Sequence, residues 1–401
     1  MKQKRVCGLD VHKDTVFCAF YDGEKKSEVK EYATFTSSIK EMGNEIRSHG
    51  IKEIAMESTG IYWIPIWNVL EDMGFTLTLV NPYQIKQMPG RKSDVKDAQW
   101  IASLLHKGML RGSLVPGKRI RELRTYSRKY VQLQGKITGS LNAMERTLEM
   151  SNIRITSLVS NNSGKSVLDV IRKIIKKEDS VEELACCIHK RILNSKGEKV
   201  KLSLDGYIQE HHRLLLEMDY EQYELFVKQS QRMEKEMSLI CETYYKEEFE
   251  ILQTLPGAGK QASMQIIAET GADMKPFENS GKLTGWAGLR PRNDESAGKM
   301  KSTAITKGNK YLRRIMVQCA WAASRTKESH YQMQFQKLII RKPRKKALIA
   351  IARKQLSVIW NMLYYKQCYD PNKQPVHNVN KLKNRIRYHQ KQAERLETLC
   401  K

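Results

Sequence analysis

The sequence predicts a mixed α/β domain at the N-terminus followed by a long, mostly helical remainder. Three observations predict it. Apolar residues in the first 35 positions recur at the two-residue period of strands, helix-type and strand-type segments then take turns to about residue 105, and beyond that the apolar spacing becomes three-and-four.

The chain has 401 residues, room for two or three domains with cores of their own. Seventy Lys+Arg against 44 Asp+Glu give a formal charge of +26, and the excess is spread along the chain. That balance points to a polyanionic partner, with nucleic acid first among the candidates. No apolar run approaches the ~18 residues of a membrane span, and "MKQKRVCGLDVHK" reaches Asp10 before a signal-type segment can develop. A cytoplasmic protein, associated with the nucleoid when acting, is expected. Eight cysteines without a C-x-x-C pair and nine histidines without H-x-x-x-H spacing predict neither a disulfide scaffold nor a zinc site.

"KRVCGLD" (4–10), "TVFCAFY" (15–21) and "KEYATF" (30–35), separated by "DVHKD" and "DGEKKSE", read as three meandering strands. "SSIKEMGNEIRSHG" reads as a helix, "IKEIAME" as a strand, Ile61 to Met73 as a helix and "FTLTLV" as a strand. Such an order suits a mixed sheet with helices on its faces.

Two heptad-like seams follow. One runs Ile120, Leu123, Ser127, Tyr130, Gln134, Ile137, Leu141, Met144 and Leu148; the other runs Leu216, Asp219, Tyr223, Phe226, Ser230, Met233, Met237, Ile240 and Tyr244. Periodicity does not name the partner, so an antiparallel pair within one chain and an intersubunit coiled coil stand equally. Between the seams, "SNNSGKSVLDVI" fails as a phosphate loop because Val159 occupies the place of the leading Gly. A third unit opens at "TLPGAGKQAS" (254–263), which suits either a phosphate at a helix start or a plain turn. "GWAGLRPRNDESAGKMKSTAITKGNKYLRR" (285–314) follows, and a basic run includes Arg341, Lys342, Arg344, Lys345 and Lys346 ahead of Trp360, Tyr364 and Tyr365. That run is either a solvated face or a surface that tracks a nucleic-acid strand.

Four carboxylates stand out. Asp94 and Asp97, three apart in "GRKSDVKDAQW", either serve the start of their helix or present two oxygen ligands on one face. Asp10 ends the first strand in "CGLDVHKD" and Glu57 the fourth in "IAMESTG"; taken singly, each also reads as a turn or helix-start residue. Groups at strand ends of such sheets face the crevice where ligands collect. Four carboxylates brought together would repel, and hard cations such as Mg²⁺ or Mn²⁺ would relieve the repulsion. Two such ions ~3.5–4 Å apart are the usual device for in-line attack on a phosphodiester.

"GLDVHKDT", "AMESTGIYW", "VNPYQIKQ", "RKSDVKDAQWIASLL", "TLPGAGKQAS", "GWAGLRPRNDESAGK" and "ITKGNKYLRR" together resemble the insertion-sequence 110 family of DEDD transposases, RNA-guided DNA recombinases of bacterial mobile elements. The resemblance covers most of the chain. It implies an RNase H-like (RuvC-like) catalytic domain over 1–105, a helical or coiled-coil region over 106–250, a mostly helical C-terminal transposase domain over 251–330 and a basic helical tail over 331–401. It further implies that Asp10, Glu57, Asp94 and Asp97 hold Mg²⁺ or Mn²⁺, and that Ser296 is the nucleophile. In the family a glycine commonly follows that serine at once, whereas Ala297 intervenes here before Gly298, and Ser302 is the nearest alternative. Donor and target DNA and a guide RNA from the same element are the implied partners. A homo-oligomer, dimer or tetramer, is expected because recombination cuts several strands. Lys92 and Arg292 are candidate phosphate neighbours, or else plain surface charges. The rival functions are a RuvC-like junction nuclease that activates water, and a nucleic-acid-binding protein whose carboxylates are structural.

Overall fold

A computed structural model describes residues 4–57, 60–82, 94–159, 161, 163–292, 294–296, 298–302, 304–373, 387–388 and 390–394, with the backbone alone at 94–96, 294–296 and 299–301. The chain divides into two compact units, 1–116 and 117–401.

In the first unit β1 (Val6–Val11), β2 (Thr15–Tyr21) and β3 (Lys30–Ala33) form the expected meander. Helix α1 (Thr36–Ser48), β4 (Glu53–Glu57), α2 (Trp63–Asp72), β5 (Thr76–Val80) and α3 (Asp94–His106) follow. The sheet order is β3-β2-β1-β4-β5, antiparallel on the β2 side of β1 and parallel on the β4 side. Strand β1 lies at the centre and every one of its residues is buried, which is why "VCGLDV" is nearly continuously apolar. Helix α2 starts two residues later than its apolar pattern suggests. Pro65 then falls in the first turn, where its missing N–H leaves no helix bond unmade.

The two-residue period sorts β1 into two faces. Cys7, Leu9 and Val11 join Ile54 and Met56 under Ile39, Met42 and Ile46 of α1 and Ile66, Trp67 and Leu70 of α2. Gly8 and Asp10 look the other way, where Ala55, Val80 and Ile101 form a smaller cluster with α3.

The second unit is built on α4 (Lys118–Met150) and α8 (Glu210–Tyr244). These carry the two seams and pack antiparallel within the chain. Gln134 Nε2 donates to Ser230 Oγ at 2.7 Å, the Lys136 ammonium lies over the Phe226 ring, and Arg119 near the start of α4 covers Tyr244 at the end of α8. Between them, α5 (Lys165–Ile175), α6 (Val181–Ala185) and α7 (Lys190–Leu204) enclose a core of Val167, Val170, Ile171, Ile174, Leu184 and Val200 against Met144, Leu148 and Leu216.

Helices α9 (Lys246–Gln253), α10 (Lys260–Thr270), α11 (Ser280–Trp286), α12 (Lys310–Ala323), α13 (His330–Ile339) and α14 (Arg344–Tyr365) complete the unit, with a hairpin of β6 (Asp294–Ser296) and β7 (Lys299–Ser302) before α12. The "TLPGAGK" segment is a packing turn. Gly257 has φ +85°, a Cβ there would overlap the Cys319 carbonyl of α12, and Gln355 of α14 donates to the Pro256 carbonyl. No helix among the described residues is long and apolar enough to cross a membrane.

Candidate active site

In the first unit Asp10 and Glu57 share one face of the sheet. Parallel pairing of β1 with β4 sets Gly8 beside Ala55 and Leu9 beside Met56. One step further along the register are Asp10 and Glu57, two residues on from Gly8 and Ala55 and so on the same face. That is the face α3 covers. Glycine at position 8 permits the cover, because a Cβ there would overlap the Ala98 carbonyl oxygen and the Ala102 amide nitrogen.

Helix α3 runs antiparallel to β1. His106 at its end packs edge-on to Tyr21 with ring centroids 5.2 Å apart, and Tyr21 pairs with Val6 at the start of β1. The other end of α3 therefore points toward the end of β1. Position 94 is four residues before Ala98, ~6 Å along the helix, and Asp10 is two residues beyond Gly8, ~7 Å along the strand. Positions 94 and 97 precede the buried Ala98 and Ile101 by one turn each, which puts both on the sheet-facing side.

Asp10 is 6% exposed, and its Oδ2 is 3.2 Å from Nε2 of His12, just past the end of β1. Asp97 and Glu57 are half-buried. The side chain of Asp94 and all of Lys92 lie outside the described residues. A donor set made only of carboxylates, at adjacent strand ends and a helix start, suits a hard divalent cation. Among the described residues no three His, Cys, Asp or Glu side chains converge on one point.

In the second unit Ser296 pairs with Lys299 across the tip of the hairpin, and Gly298 takes φ +71° in the turn. That left-handed φ is open to glycine without strain. The Ser296 side chain lies outside the described residues. Ser302 sits at the far end of β7, where its hydroxyl accepts the Ala304 amide at 3.2 Å, a local turn role. Arg292 is exposed on the stem below, its amide bonded to the Ala304 carbonyl. Arg341, Lys342, Arg344, Lys345 and Lys346 are all exposed around the start of α14. Three of these cations occupy the first turn of that helix, where the dipole opposes positive charge, so helix stability does not explain them.

Sequence reasoning missed a cluster in this unit. Glu269 of α10 is 1% exposed and accepts Arg128 Nε and Nη2 of α4, each at 3.0 Å, and Asn309 Nδ2 at 2.6 Å. Arg124, one turn earlier on α4, donates to the Ala268 and Glu269 carbonyls. Burial pulls its pKa below the usual guanidinium value against the attraction of Glu269. Asn309 also caps α12 through the Tyr311 and Leu312 amides. Beside the cluster opens a cleft lined by Arg128, Trp286, Lys307, Asn309, Lys310 and Tyr311. Arg128 and Glu269 are 141 positions apart, and no local pattern announces such a pair.

Comparison with known proteins assigns the chain to the transposases, enzymes that cleave and rejoin DNA. Residues 7–153 match the IS110 DEDD transposase model and residues 249–336 match the transposase IS116/IS110/IS902 family. The chain belongs to the IS110 family of transposases. It is 23% identical over 391 residues to the transposase for insertion sequence element IS1111A of Coxiella burnetii (strain RSA 493 / Nine Mile phase I), an alignment spanning 92% of each chain. It is also similar to the uncharacterized 42 kDa protein of insertion element IS900 from Mycobacterium paratuberculosis, 32% identical over 125 residues, 30% of this chain and 31% of that one.

Proposed function

We propose that this transposase cuts and rejoins DNA at a metal-dependent carboxylate centre formed by Asp10, Glu57, Asp94 and Asp97, with Ser296 as nucleophile. The observation that carries the reading is the shared face of Asp10 and Glu57, one register step past Leu9 and Met56, under the helix whose first turn holds Asp94 and Asp97. A meander joined through its first strand to parallel strands, with helices on both faces, supports an RNase H-like domain over 1–105. The remaining regions are read as a helical middle over 106–250, a transposase domain over 251–330 and a basic tail over 331–401.

Bound divalent ions, Mg²⁺ or Mn²⁺, would offset the charge that gathers on the scissile phosphate and its leaving oxygen. The chain's own residues divide the remaining work. Buried Asp10, held by His12, would anchor the centre, and Glu57 and Asp97 would join it from the neighbouring strand and the helix as the ions bind. The Ser296 hydroxyl gives up its proton and forms a bond to phosphorus. The bond to the leaving oxygen breaks, and that oxygen takes up a proton. A phosphoserine link results, and its phosphodiester energy is retained for rejoining when a strand end displaces the serine. A hydroxyl is a weak nucleophile by itself, so the serine needs a base or a metal to activate it.

Donor and target choice falls to a structured RNA of the same element, held on the basic surface that +26 of net charge supplies. An even-numbered homo-oligomer, dimer or tetramer, acts on DNA at the nucleoid. The test is Mg²⁺-dependent nicking of the element's junction DNA, with and without its flanking transcript, by wild type and by Asp10→Asn, Glu57→Gln and Asp97→Asn. Each variant is expected to lose cleavage at least a hundredfold while its melting temperature and DNA binding hold. Full activity in Asp97→Asn combined with Asp94→Asn would return the helix pair to a capping role.

A further inference from the structure

Helix α12 presents an exposed stripe that belongs to neither the carboxylate centre nor the hairpin. Lys310, Arg314, Gln318 and Trp321 are all exposed, and at 100° per residue they fall within about 80° of arc. No acidic residue occurs on the helix. Trp321 is 50% exposed, and Arg325, just past the helix end, lies over its ring at 3.8 Å to the centroid. At the other end Arg128 stands over the Tyr311 ring at 4.6 Å, fixed by its two bonds to buried Glu269. That pairing engages one hydrogen each on Nε and Nη2, and three of the five guanidinium hydrogens remain outside it.

We propose that this stripe binds a single-stranded segment of nucleic acid, its phosphates on Arg128, Lys310 and Arg314 and one unstacked base on Trp321. A surface tryptophan beside a row of cations is the combination that holds an unpaired strand. The cations neutralise phosphates while the ring accepts whichever base passes. A duplex would offer Trp321 no free base face, so the stripe selects unpaired strands. Gln318 lies between the cations and the ring and supplies a neutral donor and acceptor. From Lys310 to Trp321 the stripe is ~16 Å long, at 1.5 Å per residue. The proposal rests on the chain's acting on nucleic acid, and it adds the surface and the state of the strand.

The test is binding by the full chain without divalent cation, so that no cutting is needed. Fluorescent oligonucleotides of one sequence as single-stranded DNA, single-stranded RNA and duplex DNA are titrated over a range of salt. Trp321→Ala should weaken a single strand on the order of tenfold. Trp321→Phe, which keeps a ring, should restore most of the loss. Lys310→Gln with Arg314→Gln should lower the salt slope by about 1.4, at ~0.7 per phosphate contact. Weakening confined to DNA or to RNA names the strand bound. Unchanged affinity and slope for both single strands, or a loss confined to the duplex, overturns the proposal. A chain that binds through the stripe yet never cuts would sink the catalytic reading alone. A chain that cuts while its stripe variants bind as wild type would sink the stripe alone.

Discussion

Gly8 of the central strand and Ala98 of α3 approach so closely that no side chain fits between them. Gly8→Ala must therefore push α3 off the sheet. The expected cost is about 1–3 kcal/mol from overpacking, read as a lower melting temperature. Because the same helix carries Asp94 and Asp97, cleavage should fall by more than the loss of folded protein explains. A Gly8→Ala protein with wild-type cleavage would show that the docking of α3 does not position the site.

Glu269 ties α10 to α4 through Arg128 and to α12 through Asn309. Glu269→Gln keeps a hydrogen-bonding group but leaves Arg124 and Arg128 without their counter-charge. Breaking a buried pair costs ~3–5 kcal/mol; Arg128 is 42% exposed and regains water, so about 2–3 kcal/mol is expected. Thermal unfolding measures it. No change in melting temperature would remove the cluster from the account of stability.

The cations at the start of α14 oppose that helix's dipole, which predicts opposite effects on stability and on binding. Neutralising Arg341, Lys342, Arg344, Lys345 and Lys346 together should leave melting unchanged or slightly raised. The salt dependence of duplex binding should fall by up to about 4.5, at ~0.9 for each of five phosphate contacts. An unchanged slope would make the run a solvated face.

Much of the first unit was legible in its sequence because strands and helices there keep their own periods. The two-residue period also put Gly8 and Asp10 on one face, and parallel pairing carried Ala55 and Glu57 to the same side. The seams were legible as helices, yet their pairing was not, since Ile120 and Tyr244 have the same spacing whether the partner is this chain or another. "TLPGAGK" was open between phosphate loop and turn, and what decides it is Cys319, more than sixty residues away. Glu269 gave no signal, because its partners lie on α4 and at the start of α12, far from it in sequence. The stripe on α12 has helical spacing, but only burial separates its exposed Trp321 from a core residue such as Trp360.

The most direct test of the central claim traps the reaction partway and maps any DNA–protein adduct by mass spectrometry. The account predicts DNA linked to a peptide at Ser296, absent from Ser296→Ala, which also loses strand joining while binding nucleic acid as wild type does, since one hydroxyl adds little among many phosphate contacts. An adduct at Ser302 would move the nucleophile to the other end of the hairpin. Recombination at the wild-type rate by Ser296→Ala, with no adduct on any residue, would contradict the account and leave a water-activating nuclease in its place.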